Sequence, residues 1–495
     1  MRRMDFLLLS LWIAWQSCLV CAIPIGARPH SASIVDFGAI GDGVTLNTLA
    51  FQNAMFYLSS ITATDKGGAM LYVPEGRWLT GSFNLTSHFT LYLERGAVIL
   101  GSQDPSQWPI IDPLPSYGRG RELPGGRHIS LVHGENLEDV VITGTLFSSF
   151  PLATPAFSFV LSFVLGENGT IDGQGAKWWR WSKLGLLNHT RGHLVEFVSS
   201  TNIIISNVTL VNSPFWTLHP VYCTNVLIQG VTILAPQDSP NTDGIDPDSS
   251  SNVCIQDCYI SNGDDMIAIK SGWDEYGIAY GQPSSNIHIR RVTGQTKRGA
   301  AIAIGSETSG GIENVLVEDL VAVSTKSGIS IRTGVGRGAY IRNVVLSSIT
   351  LLDIQTAITI SGFSSEHPDN GFNATAFPVV EKVTVRGVTG NTLDRPGRIL
   401  GIPEVPFRDI CLEDIALDAT TGLTAWKCTD VEGYSSSVTP KICSQLSENN
   451  TPDARPFQLP GTFCDPMVLT TSSGKVALRG NVLEFLLAIA THALL

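Results

Sequence analysis

The stretch Asn202-Ile203-Ile204-Ile205, which continues to Leu210, decides the fold because its pattern recurs along the chain. An asparagine is followed by alternating apolar residues and then by a turn. The pattern begins again at Asn225, Asn252, Asn286, Asn314 and Asn343, at intervals of 23 to 34 residues. A strand period of two inside a repeat of this length is what a right-handed parallel β-helix needs. We therefore predict an all-β chain in which each repeat forms one rung of a solenoid.

The repeated asparagines predict a second feature of this solenoid. Stacked at the same corner, their side-chain amides can pass hydrogen bonds from one rung to the next, as asparagine ladders do in cross-β stacks. The pattern continues without its asparagine at Lys382 and Asp409. A β-sandwich would instead show hairpin signals at short intervals, and the sequence has few of them.

One end of a solenoid must be covered, because an open rung would pair with other chains. The segment 46–58 has apolar residues near helical spacing, which predicts a short capping helix close to the N-terminus. These residues are Leu49, Ala50, Phe51, Ala54 and Leu58.

The composition favours strands and turns over helices. The 495 residues are 43% hydrophobic and only 15% charged, and they include 48 glycines. A formal net charge of -12 argues against nucleic-acid binding, since no basic face is evident to neutralise phosphates. A polyanionic ligand would need local arginine or lysine side chains to bind against this field. We expect a monomer that binds neither nucleic acid nor a membrane.

The N-terminus predicts secretion. Arg2 and Arg3 precede an apolar run over 6–20, which is typical of a signal peptide, here placed at 1–22. A retained membrane anchor is the alternative, but the run is shorter than the ~20 residues of a membrane span. Six glycosylation sequons fit an extracellular, glycosylated protein. They lie at Asn84, Asn168, Asn188, Asn207, Asn373 and Asn449.

Beyond the signal peptide we expect one β-helix domain over 23–465. An uncharged, largely apolar insertion at 145–166 interrupts one of its rungs. The tail 466–495 is interpreted as a terminal helix or a disordered end. The alternative is a weak signal for a lipid anchor at the cell surface.

The nine cysteines include two in the signal segment, which leaves seven. Cys428, Cys443 and Cys464 predict disulfide staples near the C-terminus of a secreted chain. Cys254 and Cys258 share a strand but lie too far apart along it for an easy bridge. No cysteine and histidine cluster has metal-site spacing, and we expect neither a metal nor another cofactor.

Three aspartates carry the candidate chemistry. Asp243 lies in Asn241-Thr242-Asp243-Gly244, and Asp264 and Asp265 follow about one rung later. At corresponding points of successive repeats they would share one groove-forming face. Clustered carboxylates suppress each other's ionisation, so one keeps a proton while others lose theirs. Acid and base cleavage of a glycosidic bond needs that combination.

The chain resembles the plant polygalacturonases of glycoside hydrolase family 28 from about residue 33 to 464, apart from the insertion. The motifs that carry the resemblance are Asn241-Thr242-Asp243-Gly244-Ile245-Asp246, Gly263-Asp264-Asp265, Ser213-Pro214-Phe215-Trp216, Pro115-Ser116-Tyr117-Gly118-Arg119-Gly120 and Ile171-Asp172-Gly173-Gln174-Gly175. The resemblance implies hydrolysis of the α-1,4 linkages of galacturonan, with inversion, in plant cell-wall pectin. It implies that Asp264 is the general acid and that Asp243 and Asp265 activate the water.

The first departure from the family concerns a histidine. The family commonly has Gly-His-Gly shortly before Ile-Gly-Ser, and the corresponding stretch here is Gly299-Ala300-Ala301. The family's histidine would tune the proton state of the acid. A subset of plant relatives also lacks it and continues as Gly-Ser-Glu, like Gly305-Ser306-Glu307.

The second departure concerns the substrate carboxylates. The family's Arg-Ile-Lys element, which grips them, aligns with Ser330-Ile331-Arg332. Arg332 can still form a bidentate pair with a carboxylate. Ser330 offers only a hydroxyl, and losing one charge-assisted contact costs ~1.5–3 kcal/mol. Lys270 is a candidate replacement, and a solvated surface lysine is the alternative interpretation.

Other side chains near the site rungs complete the substrate-binding candidates. Asn241 is included with the first aspartate, and His219 and Tyr340 could line the groove. Trp216, Trp273 and Tyr276 could stack on sugars, although for every aromatic candidate a packing role is the alternative. Two other functions stay open, namely a catalytically weakened pectin-binding β-helix and a hydrolase of rhamnogalacturonan or xylogalacturonan. Pectate lyases share the fold but eliminate with calcium and a basic catalyst.

Overall fold

Parallel strand pairing continues through most of the chain that the structure covers. The computed structural model describes residues 28–65, 67–144, 168–419 and 425–446 together with Cys464. The predicted signal peptide 1–22, the expected insertion 145–166 and the tail 466–495 lie outside the described residues. Both expected boundaries of the 23–465 domain lie outside them as well.

The strands are short at first and become longer toward the C-terminus. The first seventeen are β1 (His30–Ser33), β2 (Ala69–Val73), β3 (Gly76–Thr80), β4 (Phe83–Asn84), β5 (Phe89–Leu93), β6 (Ala97–Gly101), β7 (Ile110–Ile111), β8 (Arg127–His128), β9 (Val132–Glu135), β10 (Glu138–Gly144), β11 (Thr170–Asp172), β12 (Val195–Val198), β13 (Thr201–Ser206), β14 (Thr209–Val211), β15 (Leu218–Val221), β16 (Thr224–Gln229) and β17 (Thr232–Leu234). They are followed by β18 (Ser251–Asn262), β19 (Ile267–Ile269), β20 (Ser284–Thr296), β21 (Ala300–Ile304), β22 (Ile312–Val323), β23 (Ser327–Arg332), β24 (Tyr340–Ser361), β25 (Val379–Leu400), β26 (Phe407–Ala419), β27 (Lys427–Thr429) and β28 (Val431–Thr439).

The strands stack into three parallel faces around one core. The first face runs through β1, β2, β5, β10, β13 and β16, and then through the N-terminal parts of β18, β20, β22, β24, β25, β26 and β28. The second begins with β3, β6, β11, β14 and β17 and continues in the C-terminal parts of the long strands. The third contains β4, β9, β12 and β15, then β19, β21 and β23, the ends of β24 and β25, and β27. The predicted right-handed parallel β-helix is confirmed.

Alternation along each strand places one set of side chains inside the coil. Val226 and Ile228 of β16 lie in register with Val253 and Ile255 of β18, and all four are fully buried. Burying an aliphatic side chain of this size stabilises a fold by roughly 1.5–3 kcal/mol. Because every rung repeats the pattern, the core is a continuous column of stacked aliphatic residues.

The predicted asparagine ladder is present at one corner of the first face. The Asn225 Nδ2 atom donates to Asn202 Oδ1 at 3.0 Å. Each later asparagine of the series, through Asn343, donates to the one before it at 3.1 Å. All six have φ between 55° and 59°, a left-handed conformation that asparagine tolerates better than most residues. The residue type and the turn therefore support each other.

The same corner continues beyond the ladder in both directions. Lys382 and Asp409 follow it in register, with φ of 54° and 52°. Asp139 and His88 precede it, with φ of 57° and 52°. The corner conformation is thus kept where the asparagine is lost, as the sequence pattern at Lys382 and Asp409 indicates.

A helix covers the N-terminal end of the solenoid. Helix α1 (Thr48–Thr62) buries Phe51 and Leu58 completely, and the Phe51 ring lies 4.6 Å from that of Phe83. The capping helix is therefore confirmed, but Leu49 is 67% exposed, since the buried stripe begins one residue later. The other described helices are α2 (Ala176–Lys183) and α3 (Asp274–Tyr280), with 3-10 turns at Ile34–Phe37, Pro105–Gln107 and Ser444–Leu446. Within the described residues, no helix has the length and apolar character of a membrane span.

Two disulfide bonds join described cysteines. Cys428 pairs with Cys443 close to the C-terminus, as the sequence predicts. Cys464 pairs instead with Cys254 on the first face, 210 residues away, so its expected role as a local staple is wrong. Cys258 stays buried and unbridged, which agrees with the strand-spacing argument.

The ladder predicts graded losses of stability. Asn286 takes part in two ladder bonds, whereas Asn202 at the start of the ladder takes part in one. At about 1 kcal/mol for each hydrogen bond, Asn286→Ala should lower the free energy of unfolding by about twice as much as Asn202→Ala. Both sites have the same backbone conformation, so its cost is matched between the variants. Equal losses in denaturant titrations of the two variants would contradict the ladder's contribution.

Candidate active site

The three aspartates lie on the third face, where the chain passes from β15 to β19. Ile245 bridges these two strands, and Asp248 bridges Val221 to Lys270 in the same rung. The Thr217 N–H donates to the Asp243 carbonyl at 2.8 Å, and the Gly244 N–H donates to the Asp265 carbonyl at 3.0 Å. The stacking of rungs therefore places Asp243 beside Asp265, as the spacing of the repeats predicts.

The aspartate side chains form one cluster. One carboxylate oxygen from each of Asp243, Asp264 and Asp265 lies within 4.8 Å of the others. Both oxygens of Asp265 accept hydrogen bonds, one from the Ala300 N–H at 2.7 Å and one from Arg332 Nη2. Asp243 and Asp265 are buried, whereas Asp264 is partly accessible. Asp264 is therefore the carboxyl of the three that an incoming sugar reaches most directly.

Lys270 lies beneath the cluster and is only 4% exposed. Its Nζ atom is 3.4 Å from Glu307 Oε2 and 3.6 Å from Asp246 Oδ1. The same atom lies 3.9 Å from Asp243 Oδ2 and 4.4 Å from the centre of the Trp216 ring. The interpretation of Lys270 as a solvated surface lysine is wrong. Its burial among three carboxylates suits a charge that holds the site together.

Three charged residues of this network are absent from the sequence-based candidates. Asp246 is fully buried below Lys270, and Glu307 is 1% exposed. Arg121 Nε donates to Glu307 Oε1 at 2.6 Å and so extends the network toward the surface. Asp246 lies inside the quoted motif that begins at Asn241, and Glu307 ends the quoted stretch Gly305-Ser306-Glu307, so a sequence signal was available for both. Glu307 and Arg121 are separated from the aspartates in sequence, and only the stacking brings them near.

Burial and mutual repulsion keep protons in the cluster. Burial, and next the charge of Asp265, raise the pKa of Asp264 to about 6. Burial, and next Asp264, raise the pKa of Asp243 well above its usual range. Burial also raises the pKa of Asp246 to about 7, although Lys270 opposes it. Glu307 differs, because Lys270 and Arg121 overcome burial and hold its pKa well below the usual range. The aspartates therefore share protons as a group.

The stretch that replaces the family's Gly-His-Gly element acts through its backbone. A Cβ atom on Gly299 would lie 2.2 Å from both the Asp264 carbonyl carbon and the Asp265 nitrogen. No side chain fits there, so glycine allows the rung to pack directly on the two aspartates. The next residue, Ala300, supplies the N–H that binds Asp265.

The remaining substrate-binding candidates are spread over different environments. Asn241 is exposed in the turn before Asp243, and the Arg332 side chain is 33% exposed. Ser330 is 5% exposed on β23. Tyr340 packs against Arg342, whose guanidinium lies 4.0 Å from the ring centre. Asn241 and Arg332 thus combine accessibility with proximity to the aspartates.

His219 lies in the interior rather than on an open groove wall. It is fully buried, with Nδ1 2.9 Å from Glu196 Oε1 and Nε2 3.4 Å from Asp248 Oδ2. Burial opposes a charged ring, but both carboxylates raise the pKa of His219 above its ordinary value. This position contradicts direct contact with substrate, because neighbouring side chains enclose the imidazole.

Among the residues that the structure describes, two groups have the side chains of a potential metal site. They are the aspartate cluster and the set His193, Glu196 and His219, each with ligand atoms within 4.8 Å of one another. Arg127 Nη1 lies 2.7 Å and 2.8 Å from the two Glu196 oxygens, and this cation already occupies the carboxylate. The expectation of no metal and no other cofactor stays a prediction.

The tryptophans near the site contribute to packing. Trp216 and Trp273 are each 3% exposed, and their rings lie 6.5 Å and 6.4 Å from that of Tyr117. Tyr276 is more open, and its hydroxyl donates to Asp369 Oδ2 at 3.1 Å. The two tryptophans therefore pack inside the protein, which is the alternative to stacking on sugars.

The fold and the carboxylate cluster define a β-helical glycoside hydrolase. The chain matches the family described as Glycosyl hydrolases family 28 over residues 149–443, and it belongs to that family. It is 51% identical over 426 residues to a "Probable polygalacturonase" of Vitis vinifera, covering 86% of this chain and 82% of the relative. A solved exopolygalacturonase of Thermotoga maritima superposes with a TM-score of 0.67 at 26% identity, covering 82% of this chain and 91% of that one.

The buried aspartates predict that stability falls as the pH rises. With folded pKa values of about 6 for Asp264 and about 7 for Asp246, these two groups hold more protons in the folded chain than in the unfolded chain between about pH 4 and 7. The contribution of these two groups to the unfolding free energy therefore decreases across that window. Denaturant titrations from pH 4.5 to 7.5 should show a shallower decrease for Asp246→Asn than for the parent.

The matched control for this titration is Asp418→Asn, because Asp418 is exposed on a distant rung. Its pH dependence should follow the parent. An Asp246→Asn slope equal to the parent slope would contradict the retained proton at Asp246.

Proposed function

We propose that this protein is a polygalacturonase that hydrolyses the α-1,4-galacturonosyl linkages of pectin. The carrying observation is the aspartate cluster on one open face, with Asp264 accessible and its pKa raised to about 6. The names of the Vitis vinifera relative and of the Thermotoga maritima structure support the same activity.

In the proposed reaction Asp264 protonates the leaving glycosidic oxygen. Its raised pKa keeps that proton available at mildly acidic pH. Asp265, oriented by Arg332 and the Ala300 N–H, takes a proton from the attacking water, and Asp243 helps to activate that water by orienting it. Lys270 limits the repulsion between Asp243 and Asp246. The reaction is then a single displacement, with Asp264 on the leaving oxygen and the other two aspartates on the water.

The substrate-binding candidates divide by accessibility. We assign direct contacts to Asn241, Arg332 and Tyr340, which are exposed or half-buried. Ser330 has little free surface and contributes at most its hydroxyl. The buried Lys270 is assigned to positioning of the aspartates rather than to direct contact.

We further propose secretion to the plant cell wall as a monomeric glycoprotein. The signal peptide at 1–22 and the sequons support this location. Asn84, Asn188 and Asn373 are exposed and so offer room for glycans. The partner is pectic polysaccharide, without nucleic acid or membrane, and an anchor at the cell surface is the alternative.

Reducing-end release from polygalacturonic acid tests the activity. The parent should release reducing ends, and Asp264→Asn should reduce kcat at least about a hundredfold, because general acid catalysis contributes about 10²–10⁴-fold. Binding of galacturonate oligomers, measured by calorimetry, should persist in the variant.

The exposed Asp418→Asn serves as the control and should keep the parent rate. A parent that binds but releases no reducing ends would favour the weakened pectin-binding alternative. An unsaturated, ultraviolet-absorbing product would identify elimination instead of hydrolysis.

The stereochemistry of the product tests single displacement. Inverting enzymes separate their carboxyl groups by ~6.5–9.5 Å and retaining enzymes by ~5–5.5 Å. The 4.8 Å limit in this cluster refers to the nearest oxygens rather than to whole carboxyl groups. Proton NMR of a fresh digest should show the β-anomer first, because inversion converts an α-linkage. An initial α-anomer would contradict the proposed mechanism.

A further inference from the structure

One motif has no role in the reaction described so far, namely the segment Ser116–Arg121. Buried hydrogen bonds hold its first two residues, Ser116 and Tyr117, in place. The Ser116 Oγ atom lies 2.6 Å from the Tyr222 hydroxyl, and the Tyr117 hydroxyl donates to Asp248 Oδ2 at 2.6 Å. Because both anchoring contacts are buried, the segment holds its following residues at a defined place beside the carboxylate network.

Arg121 is the charged residue that this anchoring positions. Its Nε donates to the buried Glu307, and its Nη2 donates to Glu366 Oε2 at 2.8 Å. The guanidinium also lies 4.3 Å from the centre of the Trp273 ring. Three contacts on two sides give the planar group a fixed orientation. The Arg121 side chain is nevertheless 22% exposed.

The Arg121 guanidinium has N–H donors that no hydrogen bond to a described residue uses. Arginine carries five N–H donors, and among the described residues the Nη1 atom of Arg121 has no hydrogen-bond partner. Glu366 is 71% exposed, so solvent screens this pair and another anion can replace it. Arg121 is therefore a preoriented cation whose outer side is available.

The other two cations of the site each pair with a catalytic aspartate. Lys270 is buried among three carboxylates, and Arg332 is engaged with Asp265. The position aligned with the family's first cation is Ser330, which is neutral. A polyanion that binds over five carboxyl groups needs a further positive charge near them.

Space for a ligand lies beside the segment 365–372, which contains the outer partner of Arg121. A cavity of about 550 Å³ is lined by Arg119, Ser365, His367, Asp369, Asn370 and Phe372 among others. Glu366, the outer partner of Arg121, falls between two of these lining residues. Arg121 is linked to this polar cavity through its ion pair with Glu366.

We propose that Arg121 binds a carboxylate of an acidic polysaccharide and replaces the cation that Ser330 lacks. The ligand chemistry is that of a uronate, and the inference rests on the proposed function in naming polygalacturonate. On binding, the uronate displaces Glu366 from the outer edge of the guanidinium, while Glu307 keeps the inner edge. Arg121 is then a specificity-determining residue for charged substrate, distinct from the residues that transfer protons.

Calorimetry with galacturonate oligomers in the Asp264→Asn background tests this role without hydrolysis. Adding Arg121→Gln should weaken binding at least about tenfold, because a charge-assisted contact is lost. Methyl-esterified oligomers should bind equally to both proteins, since they carry no carboxylate. A purely structural role would weaken both ligands alike and would overturn the proposal.

Arg291→Gln in the same background is the matched control. It removes one arginine charge, also paired with a carboxylate, at a remote corner of the solenoid. Its affinity should stay at the level of Asp264→Asn. An equal loss in both arginine variants would mean that net charge, rather than Arg121, governs binding, and would overturn the assignment.

A conservative variant covers the case in which Arg121→Gln does not fold. Arg121→Lys keeps the charge but not the fork of donors, and it should bind the acidic oligomers several-fold more weakly with no change for the esterified ones. Unchanged affinity for the acidic oligomers would overturn the proposal. Failure of the proposed function shows separately, as a parent protein that neither binds nor cleaves polygalacturonate.

Discussion

The register between successive rungs is the constraint on which the rest of the molecule depends. Parallel strands lie about 4.8 Å apart, so a residue's neighbours above and below are set by the spacing of repeats rather than by sequence proximity. The asparagine ladder holds one corner in that register. On another face the same register places Asp243 beside Asp265 and sets the Ala300 N–H against the Asp265 carboxylate. The site is thus a product of the stacking and cannot be separated from it.

The electrostatics of the site follow from packing many acids into few rungs. Asp243, Asp246 and Glu307 surround one buried lysine, and Asp264 and Asp265 lie beside Asp243, with arginines at the edges. Full ionisation of all five would be costly, since burial weakens screening. Retained protons on Asp243, Asp246 and Asp264 relieve this repulsion, while Lys270 and Arg121 hold Glu307 charged. The same condition that stabilises the cluster supplies a proton donor for glycosidic cleavage.

The sequence predicts the features that recur in each repeat. It does not predict contacts between residues that are distant in sequence and meet only when the repeats stack. Period-two strands, the asparagines and the aspartates of neighbouring rungs are local signals, and the fold and the cluster follow from them. Glu307 and Arg121 contact each other across 186 residues, and no periodicity indicates that pair. His219 lies in a motif-rich stretch, yet its side chain faces Glu196 and Asp248 in the interior. Likewise the partner of Cys464 depends on where the chain returns to the first face.

The disulfide bond between Cys254 and Cys464 also determines whether a proteolytic cut separates the chain into fragments. Asp264, Asp265, Lys270, Glu307 and Arg332 all lie between these cysteines in the sequence. A single backbone cut within that span would leave both fragments covalently joined. The stacked rungs could then stay together, because the cut ends remain tethered on opposite sides of the nick. Nicked protein would separate into two pieces on a denaturing gel only after reduction.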